Sequence, residues 1–287
     1  MTLSRLAPLF MLAGSSTPSV TAVQAQGAGR LAEARTEAST EARLGVPAHN
    51  PGRPADTLSA AQWADSARVA IEAAFAAGSA DGVARARLIA DQGVERFPSD
   101  AWLRHYQGYA LFREGLLREG DAARATFERA RESLERSITL RDLSESHAVL
   151  AAVFGNLVGG SVLRAVRFGR TSMVEMDRAV ALGPENPRVW MLKGAGALFQ
   201  PTWTGGGAEK GEASLRKAVA LFANDHPAPG APAWGRAETH GYLALALVKQ
   251  GKQAEARAAL AQGLAIDATH SFLLLRVRPA VDPATTP

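Results

Sequence analysis

Residues 200–213, QPTWTGGGAEKGEA, set three consecutive glycines ahead of a lysine, the materials of a phosphate-gripping loop. Such a loop needs glycine, four residues, then Gly-Lys-Ser/Thr between a strand and a helix, so that backbone amides and the helix N-terminus converge on phosphate. Here Gly205 is followed by four residues and then Lys210, with glycine after the lysine instead of before it. The pattern fails on order, and no strand pattern precedes it. The reading is therefore a joint between two helices: Pro201 ends one, Gly205 to Gly207 permit a tight re-entry into the next, and Trp203 packs over the seam. Anion binding by the amides of Gly206 and Gly207 is the alternative.

Other residue types with chemical potential are scattered. The six histidines (His49, His105, His147, His226, His240 and His270) include no HExxH and no close grouping with Asp or Glu on one helix face, so no metal site is expected. There is no G-x-S-x-G elbow. Glu128 and Glu132 lie four apart on one helix face, but arginines surround them, which makes a solvated salt-bridge face. With no cysteine in the chain, disulfides, zinc thiolates, iron–sulfur clusters and cysteine nucleophiles are excluded. The expectation is no catalytic residue, no cofactor and no enzymatic activity.

Composition narrows the partner class. The chain is 47% hydrophobic, too apolar to be disordered throughout. Its 32 basic and 28 acidic residues give a net charge of +4, but only five of the bases are lysine and no adjacent basic run occurs, so no nucleic-acid partner is expected. At the N-terminus, one charge at Arg5, an apolar run from Leu6 to Ala13 and a small-polar stretch ending Val23-Gln24-Ala25 have the layout of a secretory signal peptide cut after Ala25. The alternative is a cytoplasmic N-terminal tail. The apolar run is too short to span a bilayer, so no transmembrane segment remains after cleavage. The expected location is the periplasm or the medium.

The elements that would position any site are helices. Residues 26–56 are small, polar and broken by Pro47, Pro51 and Pro54, a flexible linker; residues 57–276 read as amphipathic helix throughout, and 277–287 as a disordered tail. The fold class is all-α. Within it, small and large positions recur in a fixed order. In HGYLALALVKQGKQAEARAALAQGLAID, Leu243, Ala244 and Leu247 mark one helix, Gly251 ends it, and Ala256, Leu260 and Gly263 line the next. Leu150, Ala151 and Phe154 repeat the order, as do Trp190, Gly194 and Ala197, and Gly108 with Leu111 followed by Ala130, Leu134 and Ser137. A weaker first copy carries Ala86, Ala90, Gly93 and Pro98. Small residues at fixed places let two helices approach, and a proline after the second stops it.

This order resembles a tetratricopeptide repeat (TPR) array of about five helix hairpins, a right-handed α-solenoid, and AETHGYLALALVKQGKQAEARAALAQGLAID fits the pattern without a gap. The chain is similar to uncharacterised secreted bacterial TPR-containing proteins, a likeness that implies no activity. The equivalent small residues Gly108, Ala151, Gly194 and Ala244 are 43, 43 and 50 apart, against a family period of about 34. The excess is assigned to lengthened helices or loops in REGLLREGDAARATFERAR, VGGSVLRAVRFGR and PTWTGGGAEK. A HEAT-like solenoid of longer native period is the alternative. The resemblance implies that first helices line a concave, peptide-binding surface. By repeat phase Trp102, His105, Tyr109, Phe112, Asn156, Arg188, Met191 and Lys249 are directed there. The equal alternative is that the aromatics plug the gap left by an atypical first repeat. His147 and His240, at one repeat position, are read as packing residues, and SVLRAVRFGR as burying its apolar side between repeats, with contact to anionic lipid as the alternative. The implied function is an exported, non-enzymatic scaffold for a protein or peptide partner. The alternative is a periplasmic small-ligand-binding protein, its ligand near Trp203 and Phe168, or an accessory subunit of an envelope enzyme or transporter.

Overall fold

The computed structural model describes residues 58–159 and 162–283, so the expected signal peptide (1–25) and linker (26–56) lie outside the described residues. Helices begin where the sequence offers caps. Ser59 and Gln62 form a reciprocal capping box at α1 (Ala60–Ala76), Ser79 caps α2 (Ala80–Arg96), and Asp100 accepts the Leu103 amide at α3 (Ala101–Leu116). There follow α4 (Gly120–Leu140), α5 (Ser144–Leu157), α6 (Val162–Leu182), α7 (Pro187–Phe199), α8 (Ala208–Phe222), α9 (Arg236–Lys249) and α10 (Gln253–Ile266). Pro187 opens α7 behind the Asn186 cap, where its missing N–H costs nothing. A π turn, Leu273–Val277, runs into α11 (Arg278–Val281). Among the described residues there is no strand.

Consecutive helices pair as five hairpins, α1/α2 to α9/α10, and the first helices α1, α3, α5, α7 and α9 touch in succession along the inner side. The small residues do what their spacing requires. A Cβ at Gly108 would lie 2.6 Å from Leu134 Cγ, and one at Gly194 would lie 2.6 Å from Leu215 Cγ, so glycine is what lets α3 meet α4 and α7 meet α8. Ser137 Oγ donates to the Ala101 carbonyl (2.8 Å) and Ser172 Oγ to that of Ala151 (2.7 Å), stitching two hairpins through the small-residue positions of their second helices.

The glycine-rich joint is closed to anions. The Gly205, Gly206 and Gly207 amides donate to the carbonyls of Thr202, Pro201 and Ala197, while Gly205 (φ 93°) and Gly207 (φ 117°) take conformations that favour glycine. No amide of the three is left to grip phosphate. The long repeat spacing is explained by the 21-residue α4 and α6, by this joint, and by residues 223–235 between α8 and α9, a segment the sequence reading had not credited. The tail assigned to 277–287 begins too early: Val277 and Val281 are fully buried, and Leu273 and Val277 fill the face that Gly241 leaves open on α9. A proline at position 279 reads as a break, but it sits in the first turn of α11, where proline is tolerated.

Candidate functional site

Chemically the densest part of the molecule is the inner side of the array, where the last hairpin meets the first two. Arg113 of α3 grips Glu238 of α9 with both terminal nitrogens (2.6 and 2.7 Å), and its Nε donates to the Tyr109 hydroxyl oxygen at 2.6 Å. That hydroxyl donates to Glu72 of α1, also at 2.6 Å. Aromatic rings enclose the guanidinium, with Phe75 at 4.1 Å, Tyr109 at 4.9 Å and Trp234 at 5.6 Å. Burial works against an ionised Glu238, but the charge of Arg113 outweighs it and holds the carboxyl below its usual range. Glu72 goes the other way: burial raises it, and although Arg113 pulls it down, the nearby Glu238 adds to the rise. One guanidinium thus serves two carboxylates, and Glu72 is the less well served, 3.6 Å from it.

Residues 223–235 form a strap across this inner side. Asp225 pairs with Arg188 of α7, the Gly230 amide donates to Asp65 of α1 (3.1 Å), and Trp234 stacks on Tyr109 at 4.7 Å. At its end Gly235 lies against the Met191 sulfur, closely enough that a Cβ would sit 2.7 Å from it. The strap and the Arg113 cluster border a cavity of about 410 Å³ lined by Arg68, Glu72, Arg188, Trp234, Arg236 and His270 among others. Another of about 360 Å³ lies among Leu116, Leu117, Phe199, Tyr242, Phe272 and Leu275. A smaller hollow of about 220 Å³ separates the third and fourth hairpins, with Met176, Leu192, Gln200 and Lys210 in its wall.

No protein-family model matches the chain, and no curated protein matches it. Its shape, however, has precedents. The crystal structure of TTC0263, a thermophilic TPR protein of Thermus thermophilus, superposes with a TM-score of 0.55 at 17% identity, covering 76% of this chain and 98% of that one. This chain has a TPR-like fold. Weaker overlaps occur with the HusA haemophore of Porphyromonas gingivalis (TM-score 0.47, 18% identity, 79% and 96% of the two chains) and with MamA, residue 41 to the end, of Desulfovibrio magneticus RS-1 (0.37, 16%, 72% and 96%).

Within this TPR-like array the eight residues expected on the concave surface fall into separate environments. Tyr109, Arg188 and Met191 are buried beneath the strap. His105 is fully buried, its Nδ1 3.0 Å from Ser146 Oγ, and burial together with Arg188 pushes its pKa down to about 3, so it is neutral at physiological pH. Phe112 packs against Phe127 in the second hairpin, and Asn156 donates to the Ala152 carbonyl of its own helix. Trp102 is half-buried beneath Arg141, and Lys249 is exposed, 6.0 Å from the Phe199 ring centre. The aromatics therefore plug the first repeats, and the open polar groups are others: Glu72, Arg68 and Arg236. Glu72, Arg113, Trp234 and Glu238 were not singled out from sequence. The signal for Glu72, Arg113 and Glu238 is a glutamate or arginine on the apolar face of a first helix; Trp234, in the connection after α8, carries no such signal.

His147 is more than packing. Its ring lies between Asp142 (Nε2, 2.5 Å) and Glu175 of α6 (Nδ1, 2.5 Å), and Arg178 of α6 also pairs with Asp142. Both ring nitrogens can donate only in the imidazolium. Burial opposes that form, but the two carboxylates outweigh it and raise the pKa above the usual histidine value. A raised folded-state pKa stabilises fully below the unfolded value of about 6.5, and the contribution is lost as pH rises through the folded value. The urea midpoints of wild type and His147→Gln are therefore expected to differ most near pH 6 and to converge toward pH 9; a pH-independent gap would show that packing alone is at work. Among the described residues no group of three His, Cys, Asp or Glu side chains could hold a metal ion.

Proposed function

We propose that the chain is a non-enzymatic scaffold that binds a protein segment on its inner side, with a basic side chain of the partner entering the 410 Å³ cavity beside Glu72. A stacked array of hairpins supplies an extended concave surface suited to such partners. The observation that carries the reading is the state of Glu72. Its carboxyl is a quarter exposed to the cavity and its pKa is raised chiefly by burial, while the nearest guanidinium is engaged by Glu238. A lysine or arginine arriving from outside would supply the missing charge, and the Trp234 indole and the Ile266 side chain give apolar walls to its stem.

An array of synthetic peptides probed with wild type and with Glu72→Gln tests this. Wild type is expected to select peptides with Lys or Arg, and the variant, which keeps the acceptor for Tyr109, to bind them at least about tenfold more weakly, the scale of one charged hydrogen bond. Selection that ignores basic residues, or survives Glu72→Gln, would discard the assignment. Export with cleavage after Ala25 belongs to the same proposal. Protein recovered from the envelope fraction should begin at Gln26, and an intact residue 1–25 segment in cytosol would overturn it.

A further inference from the structure

Helix α6 has two apolar faces. Phe168, Ser172 and Ala179 point inward, Phe168 stacking on Phe154 at 5.8 Å. On the opposite side Leu163 is 84% exposed, Val166 71%, Val174 59% and Met173 55%, and Arg167 and Arg170 lie among them. At 100° per residue, positions 163, 166, 170, 173 and 174 fall on one stripe, roughly 16 Å long from 163 to 174. Of the apolar side that SVLRAVRFGR is expected to bury between repeats, Phe168 goes there and Val166 faces outward. Between residues 162 and 174 the helix carries Arg164, Arg167 and Arg170 and no acid, the first being Glu175.

We infer that this outer face of α6 docks on an anionic lipid surface, independently of what the inner side binds. Two observations favour lipid over a protein partner. Arg167 and Arg170 sit between the apolar pairs Leu163/Val166 and Met173/Val174, the pattern of a helix lying in the headgroup region with apolar residues dipped and guanidinium groups on phosphate. Beside it, α4, α5 and α6 border a hollow of about 420 Å³ lined by Leu157, Leu163 and Phe168 together with Arg124, Arg164 and Arg167, Glu128 being the one acid there. Apolar side chains next to three arginines are complementary to a phosphate headgroup and the start of its acyl chain.

The chain has no cysteine, so Met173→Cys gives a single labelling site at the edge of the stripe while Leu163 and Val166 stay in place. With a polarity-sensitive dye there, the full-length protein should show a saturable blue shift on phosphatidylglycerol-containing vesicles and little on pure phosphatidylcholine. The same dye at Leu88→Cys, on an exposed site of α2, should not respond. Arg167→Gln with Arg170→Gln should weaken binding about 25-fold, from roughly fivefold per arginine. Leu163→Ser with Val166→Ser should abolish the shift with an unchanged thermal melt, since both side chains are exposed. No shift with anionic vesicles, an equal shift with neutral ones, or a shift at 88 as large as at 173 would overturn the inference. So would a concentration-dependent shift without lipid accompanied by a dimer in light scattering, which would assign the face to a second copy.

Discussion

Arg113→Met is expected to remove about 3–5 kcal/mol of stability at neutral pH, since it strands Glu238 at 2% exposure without its bidentate partner. For a domain of this size that is a fall of roughly 10 °C in melting temperature. The pH dependence separates charge from packing. In the wild type Glu238 is held below the usual carboxylate range, so its contribution is present above the unfolded value of about 4.3 and lost as pH falls through the lower folded value. In Arg113→Met the sign reverses: a buried, unpaired carboxyl titrates above the unfolded value, and the variant recovers as acid neutralises it. The gap between wild type and variant should therefore be widest near pH 7 and narrow toward pH 4. Adding Glu238→Leu should restore most of the loss, because an apolar pair of similar volume replaces a pair that was costly to desolvate. A loss that is flat with pH and not rescued would mean that Arg113 acts through Phe75, Tyr109 and Trp234 rather than through charge.

The same substitution probes cooperativity. In an open solenoid each repeat is coupled only to its neighbours, whereas here α1, α3 and α9 share one hydrogen-bonded cluster, and Phe75 of α1 meets His270 beyond α10 at 6.1 Å. Cutting the cluster removes one of the ties between distant repeats, so unfolding of Arg113→Met should also be broader, with a smaller denaturant slope.

That contrast explains what could be read from the sequence. Hairpins are local: Gly108 faces Leu134 and Gly194 faces Leu215 within one repeat, and caps such as Asp100 and Asn186 act over three residues or fewer. Such contacts leave a periodic trace, and the all-α repeat fold was legible from it. Closure of the array is not local. Arg113 and Glu238 are 125 residues apart, and Gly230 reaches Asp65 across 165. Tyr109 and Arg188 lie beneath the strap, and repeat phase says nothing of what returns to cover a residue. Residues 223–235, with Pro227, Pro229 and Pro232, read as an ordinary connection because no periodic pattern distinguishes a loop that bulges into solvent from one that lies in a groove. Glu72 escaped notice for a related reason. On its own helix it is one polar residue among alanines, and only the neighbouring Arg113–Glu238 pair makes it a carboxylate short of a cation.

Trp234→Ala is the second large effect, and it bears on whether the strap is fixed core or a displaceable cover. Deleting a buried tryptophan costs about 3–5 kcal/mol when the surroundings cannot collapse, and here the stack on Tyr109 and one wall around Arg113 go with it. What the strap would keep is polar, namely the Asp225–Arg188 pair and the Gly230–Asp65 bond. A segment held by those contacts alone should open before the helices do. Hydrogen exchange in Trp234→Ala is therefore expected to show the Gly230 amide unprotected while the α3 amides remain slow, and Trp234→Phe, which can still stack, should retain protection at both. If strap and α3 lose protection together, the strap is part of the core and the inner side opens only by unfolding. If it opens alone, Tyr109 and Met191 become a second apolar subsite continuous with the Glu72 cavity, and a basic peptide with a neighbouring aromatic side chain should gain affinity for Trp234→Ala relative to one without it, which only loses the indole wall.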